Sequence, residues 1–327
     1  MIDQTSSGII RKTSIDARIL KKLACPITLW PLELSDDGLS TSDLKNQYRI
    51  SASGIPLFAE HLFTPDAARQ RDHYKKVVEK YVENLGYPHT LEYMAYLDRV
   101  FMAHVVPGDL AETAEICCGR GELLDLEKER VGLGIGVDIS LEMLEAACKR
   151  HKGRADFLFV QGDATRLPIG NEQFKSVVMF GGIHHVSDRQ GLFEEVFRIL
   201  VPGGRFYFRE PLSDFFLWRW IRAIIYRISP SLDAKTERPL LWKETVPVLE
   251  KAGFEIKAWD TYGFLGFCLF MNSDVLIFNR LFRFIPGIRL LTRLWTTIDD
   301  LTRKIPGLRL AGLQVVGVAE KPAKGIG

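Results

Sequence analysis

The chain has 327 residues, 46% hydrophobic and 26% charged, with a formal net charge of +2. That is enough apolar material for a well-buried core, too little charge to point to nucleic acid, and too ordinary a balance for a disordered chain. The five cysteines fall without paired spacing, which suits a reducing compartment, and no apolar run reaches the ~18 residues of a membrane span. The opening "MIDQTSSGIIRKTSIDARIL" lacks the continuous apolar stretch of a signal peptide, so a cytoplasmic protein is expected, with contact to a membrane surface open.

Residues 1–64 hold short β-like pieces between turn residues ("SDDG", "SASGIP") and read as a small β-rich module. Residues 65–108 read as helical. Val77, Val78, Tyr81 and Val82, then Tyr93, Tyr96, Leu97, Val100 and Phe101, recur at spacings of three and four, and "GYPH" divides the stretch into two helices.

Residues 109–327 carry an alternation of strands and helices. Strands are predicted at "TAEICC", "LGIGVD", "ADFLFVQGD", "FKSVVMFGG" and "GRFYFREP", with helices at "SLEMLEAACKRH" and "RQGLFEEVFRIL". Ser140 reads as the N-cap of the first of these helices, and "PGG" at 202–204 as the stop that ends the second at Leu200. "LWKETVPVLEKAGFEIKAWDTYG" adds a helix and a strand, and "LAGLQVVGVAEKP" the closing strand. Such alternation implies crossover connections and a parallel sheet covered on both faces. The expected fold is α/β and Rossmann-like: a seven-stranded, mostly parallel sheet with helices on both faces, plus the N-terminal module.

Two insertions, 211–240 and 262–309, interrupt this pattern and are rich in Phe, Trp, Ile, Leu and Arg. Residues 275–310 hold seven Arg or Lys against two Asp, set among large apolar residues at helical spacing. They read as basic amphipathic helices that cap a greasy acceptor pocket, with a membrane surface or a homodimer face as the alternatives.

Three acids fall at strand ends, where an open parallel sheet binds its ligands. Glu115 lies in the first strand, Asp138 ends the second and Asp163 the third. An acid after the second strand accepts bonds from ribose hydroxyls, and one after the third reaches an adenine amino group. Gly119 and Gly121 let the backbone approach a ligand closely. The spacing in "CCGRGE" is not the G-x-G-x-x-G of a dinucleotide loop, and Glu122 would repel a pyrophosphate. A cofactor without phosphate is therefore expected.

"EICCGRG", "GVDIS", "GDATRLP", "FKSVVMFGGIHHV" and "FRILVPGGRFYFREP", in this order, resemble the class I S-adenosylmethionine-dependent methyltransferases, particularly the ubiquinone and menaquinone C-methyltransferase branch. The resemblance implies S-adenosylmethionine as cofactor. Glu115, Cys117, Gly119 and Gly121 would hold its methionine part, Asp138 the ribose, Ile139 the adenine face, and Asp163 with Ala164 the adenine edge. Phe180 would line the side of the reacting methyl. His184 and His185 become candidates for a base, and Tyr93, His104 and Glu210 for the acceptor pocket. The implied reaction is O- or C-methylation of a small, apolar or lipid-like acceptor. Cys117 stands where the family has glycine; at positive φ its Cβ costs on the order of 1 kcal/mol. A non-catalytic binding member of the fold is therefore one alternative.

The N-terminal stretch resembles a Trm112-like zinc ribbon through Cys25–Pro26, Leu32, Leu34, Tyr48 and Gly54–Ile55–Pro56. Thr28, Thr41 and Leu44 stand where further cysteines would be, so no metal is expected. That resemblance raises an RNA-modifying enzyme as a second alternative. Basic and aromatic residues are not clustered there, which disfavours RNA, and nothing points to DNA.

Overall fold

The computed structural model describes residues 15–59, 85–126, 129–228, 238–271 and 277–323, with 68, 71 and 83 besides. The helix expected around Val77 to Val82 lies outside the described residues.

The chain enters through α1 (Ala17–Leu20), capped by the Asp16 carboxylate, which accepts from the Arg18 N–H at 2.8 Å. A small antiparallel sheet follows: β1 (Glu33–Ser35), β2 (Gly38–Ser40) and β3 (Gln47–Tyr48). Cys25 is buried against it, with its Sγ 3.0 Å from the Tyr48 hydroxyl and accepting the Thr28 N–H. The next described helix, α2 (Pro88–Met102), starts on the proline of "GYPH", whose fixed φ and missing N–H suit a first turn. Its buried stripe includes Tyr93, Tyr96, Leu97 and Phe101.

The main sheet then builds in chain order. β4 (Glu112–Ile116), α3 (Glu122–Leu126), β5 (Leu133–Asp138), α4 (Leu141–Arg150), β6 (Phe157–Gln161) and β7 (Phe174–Phe180) make its first half. α5 (Arg189–Ile199), β8 (Leu200–Pro211), α6 (Phe216–Ile228), α7 (Trp242–Lys251) and β9 (Glu255–Tyr262) continue it. α8 (Gly266–Phe270), a 3-10 segment Ile277–Phe284, α9 (Ile288–Thr302) and β10 (Gln314–Glu320) complete it. The strand order is β6-β5-β4-β7-β8-β10-β9, parallel throughout except for β10, which is antiparallel to both neighbours.

This is the mostly parallel seven-stranded sheet expected, and the Ser140 cap is present: its hydroxyl accepts the Met143 N–H at 3.3 Å. One boundary differs. The "PGG" turn does not separate helix from strand. α5 ends at Ile199 and β8 starts at Leu200, passing through Gly203 at φ 77° with a register shift against β7.

Alternation along the strands fills two cores, one per face. Val177, Phe206, Phe208 and Val315 enter one; Val178, Tyr207 and Val316 enter the other with Phe101 of α2. The N-terminal module seals the β6 edge: Phe58 N–H donates to the Gln161 carbonyl, and Gln161 N–H to that of Pro56, both at 2.9 Å. Strand order reverses between β4 and β7, opening a crevice at their carboxyl ends.

Gly317 of β10 faces Phe208 of β8 across the ladder, and a Cβ there would overlap the phenyl ring. Gly317→Ala should therefore cost about 1–3 kcal/mol by overpacking, read as a lowered midpoint in urea unfolding.

Candidate active site

The loop after β4 alternates into left-handed backbone, with Cys117 at φ 53°, Gly119 at 51° and Gly121 at 78°. Cys117 therefore takes the strained conformation that a Cβ disfavours. The compensation lies across the crevice. A Cβ on Gly182 would come within 2.6 Å of the Cys117 Cβ and 3.0 Å of its Sγ, so the missing side chain at 182 makes the room that the cysteine occupies. Burial, then the charges of Asp138, Glu210 and Asp163, push the Cys117 thiol well up, and Cys118 beside it is buried with its thiol raised in the same way. Both are packing groups in the thiol form.

Buried carboxylates tie this loop down. Glu115, 1% exposed, accepts the Leu123 N–H at 2.9 Å from beneath the first turn of α3. Its other oxygen has no hydrogen-bond partner among the described residues, and burial pushes its carboxyl well up. Asp138 accepts the Gly119 N–H on one oxygen and the Ser140 N–H on the other, each at 2.8 Å. Asp163 accepts both the backbone N–H and the hydroxyl of Thr165. Between them the Gln161 amide donates to the Ile139 carbonyl at 3.1 Å, with Ala164 half-buried alongside. These residues suit an adenosine derivative: glycine backbone for close approach, carboxylates at two strand ends and an apolar side chain at 139. They do not suit a pyrophosphate, because a helix N-terminal donor of α3 is already engaged by Glu115.

On the other side of the switch, Glu210 at the end of β8 is fully buried and organises the turn after β7. It accepts the N–H groups of Gly182 at 2.7 Å and Ile183 at 2.8 Å, and pairs with His184 Nδ1 at 2.9 Å. Burial pushes the Glu210 carboxyl up to about 7. Burial, with Arg222 and Arg189 nearby, pulls the His184 imidazole down, so the ring is neutral. With Glu210 ionised, Nδ1–H donates to it and Nε2 is left as the acceptor; with Glu210 protonated, its O–H donates to Nδ1 instead. The His185 ring stacks on it with centroids 3.8 Å apart.

The structure thus brings Glu115, Cys117, Gly119, Gly121, Asp138, Ile139, Asp163, Ala164, Phe180, His184, His185 and Glu210 to the carboxyl edge of neighbouring strands. The other two pocket candidates are elsewhere. Tyr93 is wholly buried, its hydroxyl donating to Asp299 at 2.8 Å. His104 is held by the Val100 carbonyl and by Asp260 of β9, the far edge strand. Both are packing residues of α2 and the segment after it, and the expectation that they line the acceptor pocket is corrected.

Sequence reasoning missed Arg209. Its guanidinium lies 4.9 Å from the centroid of the Phe180 ring and pairs with Asp98 of α2 at 2.7 Å, while Phe101 of the same helix packs edge-on against Phe180. Strand alternation was the available signal, since a neighbour of Glu210 faces the other side of the sheet.

Comparison with known proteins agrees with this geometry. Residues 114–208 match the family model described as "Methyltransferase domain". The chain is 29% identical over 167 residues to the 2-phytyl-1,4-naphtoquinone methyltransferase of Thermosynechococcus vestitus, covering 44% of this chain and 72% of that one. It is 35% identical over 99 residues to the chloroplastic 2-phytyl-1,4-beta-naphthoquinone methyltransferase of Arabidopsis thaliana, covering 28% of this chain and only 38% of the relative. Among solved structures, the complex between the Haloferax volcanii Trm112 methyltransferase activator and a methyltransferase aligns with a TM-score of 0.53 at 19% identity. That alignment spans 79% of this chain and 99% of the other, and bears on fold alone.

The Cys117–Gly182 fit predicts strong coupling. Gly182→Ala should cost about 1–3 kcal/mol, and the part due to Cys117 should vanish in a Cys117→Gly background, leaving the contact with Met179 Cγ, measured as a double-mutant cycle by denaturant unfolding. A second expectation concerns pH. Unfolded, Glu210 ionises in the ordinary glutamate range; folded, it holds its proton to about 7. Below both values Glu210 imposes no penalty. As pH rises through about 7 the folded state loses up to about 3 kcal/mol relative to the unfolded chain. His184, lowered, works in the opposite direction. The readout is therefore the difference between wild type and Glu210→Gln, and the variant should gain relative stability from about pH 5 to about pH 8.

Proposed function

We propose that this chain, whose residues 114–208 form a class I S-adenosylmethionine-dependent methyltransferase domain, methylates a small, lipid-like acceptor at carbon or oxygen. The observation that carries the reading is the Gly119 N–H bound to Asp138: a carboxylate, not a phosphate site, faces the glycine turn. In this reading Asp138 holds the ribose hydroxyls, Ile139 packs on the adenine, and Asp163 with the Ala164 backbone reads its edge. Glu115 fixes the loop from below, while Cys117, Gly119 and Gly121 present backbone to the methionine part.

Bound there, S-adenosylmethionine supplies an activated methyl on a sulfonium together with its leaving group. The protein's own task is to align the nucleophile about 3 Å away and to exclude water. Phe180, covered by Phe101, makes that side of the crevice apolar. Burial keeps His184 neutral and a weak base, so in this reading it orients the acceptor, held by Glu210 through Nδ1, and His185 beside it is the group that takes the proton released as the acceptor reacts.

Quinone-type rings are the acceptor class we favour, on the strength of the two relatives' names. An oxidised quinone is electron-poor, so the nucleophile is the reduced ring, through carbon or a phenolic oxygen. The described part of the N-terminal module, residues 15–59, braces the β6 end of the sheet, and α2 covers Phe180 on the reacting side through Phe101. Among the described residues no helix is long and apolar enough to cross a membrane. We read the protein as cytoplasmic, meeting lipid-tailed acceptors at a membrane surface.

Calorimetry with S-adenosylmethionine, followed by transfer of a labelled methyl to a prenylated naphthoquinol, tests this reading. Asp138→Ala should weaken cofactor binding by roughly tenfold to a hundredfold, the worth of hydrogen bonds to a charged group. Absence of cofactor binding by the wild type would sink the whole reading. Cofactor binding without transfer to any reduced quinone would sink the acceptor class alone.

A further inference from the structure

α9 is turned inside out. The side it buries is made of Ile288, Thr292, Thr296, Asp299 and Thr302, whereas Leu290, Leu291, Leu294, Ile298 and Leu301 face outward. Thr292 and Asp299 are 0% exposed; Leu290, Leu294 and Leu301 are 64%, 56% and 53% exposed. The inward polar groups are satisfied. Asp299 accepts the Tyr93 hydroxyl and the N–H groups of Leu265 and Gly266, and Thr292 and Thr302 donate to carbonyls of their own helix. The helix is therefore well seated, and the apolar stripe it leaves in water spans its full length. Leu281, Phe284 and Ile285, in the turn before it, extend the same character. A contiguous apolar stripe of this size left in water marks a contact with something apolar.

Charge selects the occupant. Residues 275–310 hold seven Arg or Lys against Asp299 and Asp300, and of the seven Arg283, Arg293 and Arg303 pair with Glu83, Glu92 and Asp260 of other elements. Asp299 is buried, and Asp300 accepts the Tyr96 hydroxyl at 2.7 Å. Arg289 in the first turn of α9, and Lys304 and Arg309 just past its end, are exposed. A second copy packed on this face by two-fold symmetry would bring one positive rim against another. An anionic bilayer offers both an apolar layer for the leucines and opposite charge for the rim. α6 repeats the design: Phe216 and Trp220 are exposed, and Trp218 anchors the helix by donating to the Ala311 carbonyl, beyond α9. Exposed Trp and Phe suit the headgroup boundary.

We propose that α9, with the turn before it, lies in the surface of an anionic lipid bilayer. The proposal deepens the lipid-acceptor reading and rests on it, since a bilayer is where a prenylated acceptor is found. Its test does not need turnover. Flotation with vesicles of phosphatidylcholine alone, and of phosphatidylcholine with phosphatidylglycerol, should carry the protein only with the second, and less at raised salt. Leu294→Ser combined with Leu301→Ser should lower that partitioning roughly a hundredfold, and Arg289→Glu with Lys304→Glu should abolish the preference for the anionic vesicles. Circular dichroism and S-adenosylmethionine affinity should be unchanged in both variants, because the altered side chains face water.

Wild-type protein that stays in the dense fraction while still binding the cofactor overturns the membrane surface and leaves the methyltransferase reading intact. So does a leucine variant that floats as well as wild type. A dimer in light scattering that the leucine variant dissolves, without flotation of the wild type, reassigns the stripe to a second copy and overturns the proposal. Loss of cofactor binding is a separate failure, of the functional reading.

Discussion

Glu210 lies wholly out of water at the end of β8, where a carboxylate without partners would cost several kcal/mol. It is tolerated because the turn after β7 folds its N–H groups onto it. The same exchange recurs along the sheet edge. Glu115 holds the start of α3, Asp138 holds the glycine turn to the start of α4, and Asp163 holds Thr165. At each strand end a buried or half-buried acid takes up backbone donors that would otherwise be orphaned by the irregular loop, and the loop in turn covers the acid. The crevice is thus shaped by polar satisfaction, and the apolar cores on either face only supply the platform.

This explains why the conformation at Cys117 persists. Strain of this kind survives where surroundings over-determine it. Here the Cys118 N–H is committed to Val137, the Gly121 N–H to Cys118, and the Gly119 N–H to Asp138. Relaxing φ at 117 would break several such bonds to relieve about 1 kcal/mol. The facing Gly182 then fixes where the extra side chain goes. A departure from the family pattern on one loop is matched by vacant space on the other, which is why the loop reads as working.

Much of this was legible before the structure. "LGIGVD" coincides with β5 because a fully buried parallel strand is a continuous apolar run. The placement of Asp138 and Asp163 at the carboxyl edge of the sheet was legible because both follow a readable strand. Tyr93 and His104 were not, since a helical stripe names the buried face but not what it is buried against; both meet the insertions and β9. Glu210 was placed in the pocket without its role, because a carboxylate under a loop and one facing a substrate look alike in sequence. Arg209 was overlooked for the reason Glu210 was noticed: only one of two neighbours on a strand was followed to its side of the sheet.

The insertions obey the opposite logic from the loops. Those at the cofactor end are short, acid-pinned and glycine-rich. The insertions leave the ends of β8 at Pro211 and β9 at Tyr262. β10 runs antiparallel to both strands, so β8 and β9 point the same way and both insertions emerge at the edge that carries Asp138 and Glu210. Elaboration is therefore concentrated beside the crevice, over the half of the sheet formed by β8, β10 and β9. That half buries Trp218, Phe267, Phe270 and Ile288 along with satisfied polar groups, Thr90 on the Phe270 carbonyl and Tyr93 on Asp299, while α9 turns its leucines out. A cap meant only to close over a pocket would bury its apolar side chains and expose its polar ones. Inverting that order leaves α9 well seated with its leucines in water, the arrangement that the proposed bilayer surface would complete.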